Sequence, residues 1–197
     1  MSVRGQIKAA SIRSVLDVCD ILGIPTGEVC GLTGHGWYTL LDENGELKDL
    51  GAFTNLITDI GDQYYGERAA GISSPPAQVT GMKLGTSNTQ AQKTGAGAAL
   101  VGFVTGSLQA IDSTWPKSSQ PGGASTPSVP SARQIQWQST WAAGAGTGTL
   151  QEVVITNNAS NVAGTAADTI SRAVLATVTK GSADQLTVTW NHNLLGA

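Results

Sequence analysis

Apolar and polar positions alternate along the last third of the chain, and that period of two predicts strands. In the stretch 185–191, Leu186, Val188 and Trp190 alternate with Thr187 and Thr189, which places the three apolar side chains on one face of a sheet. Ile135, Trp137 and Trp141 repeat the spacing, with Ser139 between them. Four strands are expected, over 134–141, 150–157, 170–179 and 185–193, and their Thr, Val, Ile and Trp content suits a pleated, half-buried surface. Lys180-Gly181-Ser182-Ala183-Asp184 supplies Gly for a positive φ and Ser and Asp for local bonds to the backbone. The last two strands are therefore expected to form a hairpin.

The N-terminal part carries a different period. Ile12, Val15, Leu16, Cys19 and Leu22 recur at steps of three and four, a single apolar stripe along a helix over 11–22, and Gly23 and Pro25 stop it. Arg13 near its start and Asp20 near its end oppose the helix dipole by about a few tenths of a kcal/mol. Packing must hold this helix, on its own domain or on another subunit. Beyond it, 37–41 and 46–50 flank Asn44-Gly45 as a hairpin. A strand over 53–58 follows, and Thr58 or Asp59 can cap a helix running to about residue 68. Ser73-Ser74-Pro75-Pro76 breaks the chain, and strands are expected over 79–84 and 99–105, separated by the polar, Gly-rich 87–97.

From 112 to 132 the pattern vanishes among Pro116, Pro121, Pro127, Pro130, Ser, Gly and Thr. A loop of that length is unusual in a compact domain and reads as disordered or as an excursion ordered by a partner. Trp115 within it is a candidate anchor, because an indole in a polar loop is costly to leave in water; the alternative is that it tucks under its own sheet. The expected architecture is mainly β, an antiparallel, jelly-roll-like β-sandwich over 36–197 with one short helix after the first strands, preceded by an arm with a helix over 1–35. Its expected core is Leu56, Leu84, Leu100, Ile135, Trp137, Ile155, Val174, Leu186, Val188 and Trp190.

Composition narrows the function classes. A chain of 197 residues can bury one substantial core or carry one domain with an extension. Only 13% of it is charged while 40% is hydrophobic, so its polarity comes from Thr, Ser, Asn and Gln. Such a surface is poorly protected against self-association and suits a protein covered by neighbours, including copies of itself. The formal net charge of -3 argues against a general nucleic-acid binder. Arg4, Lys8 and Arg13 stand without an acid among them, ahead of a stretch from Asp17 to Glu67 in which Lys48 is the one basic residue. That arm reads either as a docking device or as solvated charge. Cys19 and Cys30 are too few for a disulfide scaffold, and Cys19 on the apolar stripe reads as a buried thiol. Neither a secretory leader nor an apolar run long enough to span a bilayer is visible, so synthesis in a reducing interior and no membrane contact are expected.

Chemistry-bearing patterns are sparse. His35 in Gly34-His35-Gly36 and His192 in Asn191-His192-Asn193 lack sequence partners at metal-ligand or dyad spacing. The Gly-rich stretches 95–97 and 144–148 match neither the dinucleotide fingerprint nor the Lys-containing phosphate loop. Asp42, Asn44 and Glu46 lack the remaining ligands of a calcium loop. Glu152 has no second acid nearby to form a glycosidase pair. No enzymatic activity, metal or cofactor is expected.

Several strings in common order carry a resemblance. Gly51-Ala52-Phe53-Thr54-Asn55-Leu56-Ile57-Thr58-Asp59-Ile60-Gly61, Met82-Lys83-Leu84-Gly85-Thr86, Trp137 to Ala143 with Glu152, Ser171-Arg172-Ala173-Val174, Val178-Thr179-Lys180, Asp184 and Leu186-Thr187-Val188-Thr189-Trp190 together resemble a family of small virion structural proteins of tailed bacteriophages. The resemblance covers scattered strings between 36 and 193. It implies a β-sandwich building block of capsid decoration, neck or tail, without catalytic residues. The expected function is a decoration (cement) protein that stabilises the capsid shell, with a neck or tail component as the alternative. Partners would be the major capsid protein or other virion proteins and further copies of the chain, with no specific nucleic acid, and the location would be the virion, after synthesis in the host bacterial cytoplasm. Candidate assembly contacts are Arg4, Lys8, Arg13, Ile12, Val15, Leu16, Leu22 and Trp115. A carbohydrate-binding module is a more distant expectation, with Trp37, Trp115, Trp137, Trp141 and Trp190 as stacking candidates.

Overall fold

The structure, a computed structural model, describes residues 33–118 and 134–193. Its first hairpin pairs β1 (Thr33–Leu41) with β2 (Leu47–Ile57), so residues 33–35, assigned above to the arm, belong to the sheet. The Asn-Gly turn forms as expected: Gly45 adopts φ 78°, and Asp42 Oδ1 accepts from the backbone N–H groups of Asn44 and Glu46 at 2.8 and 3.0 Å. Asp42 is thereby a turn residue, and its carboxyl is held below its ordinary range by those two backbone donors. The two strands expected at 46–50 and 53–58 are one. Gly51 does not break β2; it makes room for the Tyr38 ring, whose Cε1 would lie 2.5 Å from an added Cβ.

Helix α1 (Asp59–Ala69) follows at once. Thr58 is its N-cap, accepting from Gly61 N at 3.1 Å, while Asp59 and Asp62 in the first turn and Arg68 in the last both suit the dipole. The helix lies close on the sheet because position 61 is Gly: an added Cβ would meet the Ile170 carbonyl oxygen at 2.1 Å. The remaining strands are β3 (Gly81–Gly85), β4 (Gln109–Ala110), β5 (Lys117–Ser118), β6 (Gln134–Trp141), β7 (Gly148–Thr156), β8 (Thr169–Lys180) and β9 (Gln185–Asn193).

All nine form one antiparallel sheet in the order β4-β3-β7-β8-β2-β1-β9-β6-β5. The free sides of β4 and β6 meet where Asp112 N donates to Gln138 O at 2.9 Å and Ser139 Oγ to Ala110 O at 3.0 Å. Eight strands thus nearly close into a barrel, and β5 lies along the rest of the β6 edge. The mainly antiparallel β expectation holds, and the strands are hydrogen-bonded in the order of one sheet. Strands β2 and β8 share only the register from Asn55↔Ala173 to Ile57↔Ser171, and the two arms of the sheet on either side of this seam enclose the core.

Two sequence expectations fail for tertiary reasons. Strands β8 and β9 are joined by a tight turn but do not pair: β8 pairs with β7 and β2, and β9 with β1 and β6. The turn is instead tied down as a corner. Asp184 accepts from Gly181 N at 2.6 Å and from Lys48 Nζ of β2 at 2.7 Å, while Lys180 Nζ donates to the carbonyls of Asp184 and Ala142 at 2.6 and 3.1 Å. The strand expected over 99–105 does not form: a 3-10 turn at Gly95–Ala98 precedes it, and the stretch itself is irregular apart from a single bridge, Gly85↔Phe103. The N–H groups of Val101 and Gly102 go to the Glu152 carboxylate rather than to a neighbouring strand.

The core gathers Tyr38, Leu40, Phe53, Met82, Leu84, Trp137, Trp141, Val153, Ile155, Leu186, Val188 and Trp190. Of the expected core residues, Leu56, Ile135 and Val174 are only half-buried. In β2 and β8 the parity runs the other way, with Phe53, Ile57, Ala173 and Leu175 buried. A register shift between Leu150 and Glu152 lets Leu175 and Val178 both face inward although they are three residues apart. Leu100 is buried, but outside the central cluster.

Gly36 on β1 makes room for the Phe53 ring between β2 and β9. A Cβ there would lie 2.5 Å from both Phe53 Cζ and the Thr189 carbonyl oxygen. Because one of these is backbone, Gly36→Ala should destabilise the protein by about 1–3 kcal/mol. Chemical denaturation checks it, and an unchanged midpoint would show that the strands part without cost.

Candidate functional site

Of the residues singled out in the sequence, Arg4, Lys8, Ile12, Arg13, Val15, Leu16 and Leu22 lie outside the described residues. Trp115 is half-buried: it precedes a cis peptide bond to Pro116, its N–H donates to Asp112 O at 3.1 Å, and Lys117 Nζ stands 4.0 Å from its ring centroid. It stands outside the buried core cluster. Asp112 accepts from Thr140 N and Thr140 Oγ1 at 3.1 and 2.8 Å, and Lys117 and Ser118 pair with Gln136 and Ile135. The first part of the supposed patternless loop, 112–118, is therefore a strap along β6. Four tryptophans offered as sugar platforms are buried, Trp37 at 5% exposure, Trp137 at 2%, Trp141 and Trp190 at 0%.

At the end of the barrel where β1 and β6 begin and β9 ends, helix α1 and β9 bring together a buried aromatic and imidazole cluster. Tyr65 OH lies 2.5 Å from His192 Nδ1, the two rings stand edge to face at 5.6 Å, and Trp190 packs against His192 at 6.1 Å and Phe53 at 5.2 Å. Periodicity puts His192 there: it shares the inward parity of Leu186, Val188 and Trp190. Helix α1 supplies Tyr65 because Thr58 fixes where the helix begins. Burial, and secondarily the nearby His35, push the His192 imidazole down to about 3 from 6.5. Burial likewise raises the Tyr65 phenol. With the phenol protonated and the imidazole neutral, Tyr65 OH donates a hydrogen bond to His192 Nδ1, while His192 Nε2, Trp190 Nε1 and Trp137 Nε1 find no hydrogen-bond partner.

These shifts carry a pH dependence. His192 and His35 are both lowered by burial, so between pH 6.5 and about 3 the unfolded chain binds protons at His192 that the native state refuses. Stability is complete above the unfolded value and is lost as pH falls through this window. The melting temperature is expected to drop steadily from pH 7 to 4. His192→Gln, which keeps an acceptor for Tyr65 without a titrating ring, should flatten that slope; an unchanged slope would assign the acid sensitivity to other groups.

A second buried polar cluster locks the outer side of β7 and β8. Glu152 and Arg172 are both fully buried, and Glu152 Oε2 accepts from Arg172 Nε and Nη2 at 3.1 and 2.8 Å. The same carboxylate accepts from the backbone N–H groups of Gly102, Val101 and Ser87 at 2.5, 3.1 and 3.3 Å. Arg172 Nη1 donates to Thr89 O and Gly97 O at 2.7 and 3.4 Å. Position 85 must be Gly, because a Cβ would stand 2.3 Å from Glu152 Oε1. Segment 86–102 is thus stapled to the sheet by one ion pair whose hydrogen-bonding capacity is well used. Nearby on β3, Lys83 is fully buried with its Nζ unpartnered, and burial lowers its pKa.

Chemically, both clusters are stiffening devices. The imidazole is sealed from solvent and the phenol is half-buried against it, the carboxylate is saturated by donors, and among the described residues no group of three His, Cys, Asp or Glu is placed to hold a metal ion. The inward parity of β9 is the signal in the sequence that places His192 inside. The pairing of Glu152 with Arg172 had no local signal, although both residues stand in the strings that carry the phage resemblance. Comparison with family models, curated proteins and solved structures found no match to this chain.

Proposed function

We propose that this chain is a structural component of a tailed-phage virion, a β-sandwich-type building block that acts as a capsid decoration (cement) protein and has no enzymatic activity. The observation that carries the reading is where the resembling strings fall in the fold. Gly85, Glu152 and Arg172 make the buried staple, Trp137, Trp141, Leu186, Val188 and Trp190 fill the core, Thr58 caps the helix and Asp184 ties the corner. Those positions are the skeleton of the barrel, so the resemblance rests on residues that specify one shape.

The chain's layout supports the same reading. Strand β1 starts at Thr33, β5 stops at Ser118, β6 starts at Gln134 and β9 stops at Asn193, and the register places all four at one end of the barrel. The ends of these four strands thus lie side by side at one end of a stiff module. Cement works by burying surface between capsomers, so stiffness and interface area matter rather than chemistry. Arg4 and Lys8 would meet carboxylates on the capsid or on a second copy.

Copy number on purified particles tests it. Quantitative mass spectrometry is expected to find the chain on the order of hundreds of times per virion, comparable to the area a decoration protein covers. About a dozen copies would favour a neck or tail component instead, and absence from particles would overturn the virion assignment.

A further inference from the structure

Two short chains of hydrogen bonds run toward each other inside the α1 end of the barrel and stop short. On β2, Asn55 shares the inward parity of Phe53 and Ile57. Its Nδ2 meets Ser171 Oγ of β8, and Ser171 Oγ gives its one proton to the Leu56 carbonyl at 3.0 Å. The hydroxyl must therefore accept from Asn55, which turns the amide nitrogen toward β8 and Oδ1 the other way. On β9, His192 shares the inward parity of Trp190. Tyr65 OH donates to its Nδ1, so the neutral ring carries its hydrogen on Nε2. The first chain ends in an acceptor, Asn55 Oδ1, and the second in a donor, His192 Nε2–H. Neither atom has a hydrogen-bond partner among the described residues, although Asn55 is 5% and His192 0% exposed.

Register sets these two ends on either side of one glycine. Gly34 pairs with Asn55, and because His35 pairs with Asn191, His192 stands beside Gly34 one step further along β9. Two strand spacings, roughly 10 Å, separate β2 from β9, and the residue between them has no side chain. Asn55 leans into that place: an added Cβ at Gly34 would lie 2.1 Å from its Oδ1. The next inward position on β1 is filled as well, since a Cβ at Gly36 would lie 2.5 Å from Phe53 Cζ. Whatever joins the two ends must accept from an N–H, donate to an amide oxygen and be very small. The indole N–H groups of Trp137 and Trp190, opposite each other on β6 and β9, are also unpartnered among the described residues, so a guest with two lone pairs suits the excess of donors. An anion would meet those donors but also the Asn55 oxygen. Water has the right size and both functions, and it is the usual partner of buried polar atoms that protein groups leave unpaired.

We propose that one water molecule is built into this end of the barrel, accepting from His192 Nε2–H and donating to Asn55 Oδ1. It completes a single chain of hydrogen bonds, from Tyr65 through His192, water, Asn55 and Ser171 to the Leu56 carbonyl, that ties α1, β9, β2 and β8 together across β1. Its second lone pair is open to one of the two indole N–H groups. This inference stands on the orphaned atoms beside Gly34 and is independent of the virion assignment.

NMR of the full chain with nitrogen-15 in its histidines tests it at neutral pH. The Nε2 hydrogen of His192 is expected to be visible and to show a rotating-frame cross peak to water with the sign of dipolar contact, opposite to that of proton exchange. An unprotonated Nε2, no cross peak, or one of exchange sign alone overturns the proposal. Asn55→Leu removes the acceptor and should abolish the dipolar peak while the Nδ1 resonance, set by Tyr65, stays in place; a peak that survives shows that Asn55 does not hold the water and overturns the bridge. Should leucine unfold the sheet, a crystal structure of the unaltered chain decides. Solvent density at about 2.7–3.2 Å from both His192 Nε2 and Asn55 Oδ1 is expected. A direct bond between the two residues, or density beside only one of the atoms or neither, overturns the proposal.

Discussion

Arg172→Met should cost about 3–5 kcal/mol of stability, the usual penalty for removing one partner of a buried ion pair. The reason is what remains behind. Glu152, fully buried, keeps the N–H groups of Gly102, Val101 and Ser87 but loses both guanidinium bonds, and the Thr89 carbonyl loses its Arg172 donor, while that of Gly97 keeps the Gln92 N–H. For a domain of this size the melting temperature should fall by roughly 10 °C. Adding Glu152→Gln to Arg172→Met removes the stranded charge while keeping an acceptor for the backbone donors, so the double variant should recover part of the loss. Protease cleavage within 86–102 would report the same change locally, since the staple holds that segment. A single variant within about 1 kcal/mol of the parent, or a double variant less stable than the single, would show that Arg172 does not offset the burial of Glu152.

Trp190→Ala is expected to be comparably severe, at about 3–5 kcal/mol, from lost apolar burial and the cavity that remains. Trp190 is fully buried, stands opposite Trp137 on β6 and Gly36 on β1, and packs edge to face against Phe53 and near His192. Its indole N–H has no hydrogen-bond partner, so the cost comes from packing rather than from a lost polar contact. Trp190→Phe, which keeps an aromatic edge for Phe53 and spares a buried donor, should cost distinctly less than the alanine. Urea unfolding measures both. If alanine and phenylalanine shift the midpoint equally, the indole does not fill the space between β1 and β6.

Much of the local structure is legible in the sequence. The alternation in 134–141 and 185–193 marks β6 and β9 and the inward side of each, the Asn44-Gly45 dipeptide marks the first turn, and Thr58 marks the start of α1. These are decided within a few residues by side-chain parity, by the low cost of a positive φ at Gly and by a side-chain acceptor for an orphan helix N–H. The misplaced core positions have a related cause. Alternation identifies a face only while the register is unbroken, and the shift between Leu150 and Glu152 reverses the parity that Val174 was assigned.

By itself, then, the sequence determined strand positions in the C-terminal half, one hairpin, one capped helix and the mainly antiparallel β class. Only the tertiary structure decided which strands meet. A tight turn at 181–184 reads locally as a hairpin, yet the β1–β2 hairpin lies between β8 and β9, because Asp184 and Lys180 tie the turn to β2 and to the end of β6. The same holds for the two buried polar clusters. Glu152 meets Arg172 across a strand pair and Tyr65 meets His192 across most of the chain, and a polar residue within an alternating pattern looks solvent-facing unless its partner is known. The physical reason is that period and propensity act over one or two turns of chain, whereas burying a charge or an imidazole is favourable only where distant segments supply matching donors and acceptors.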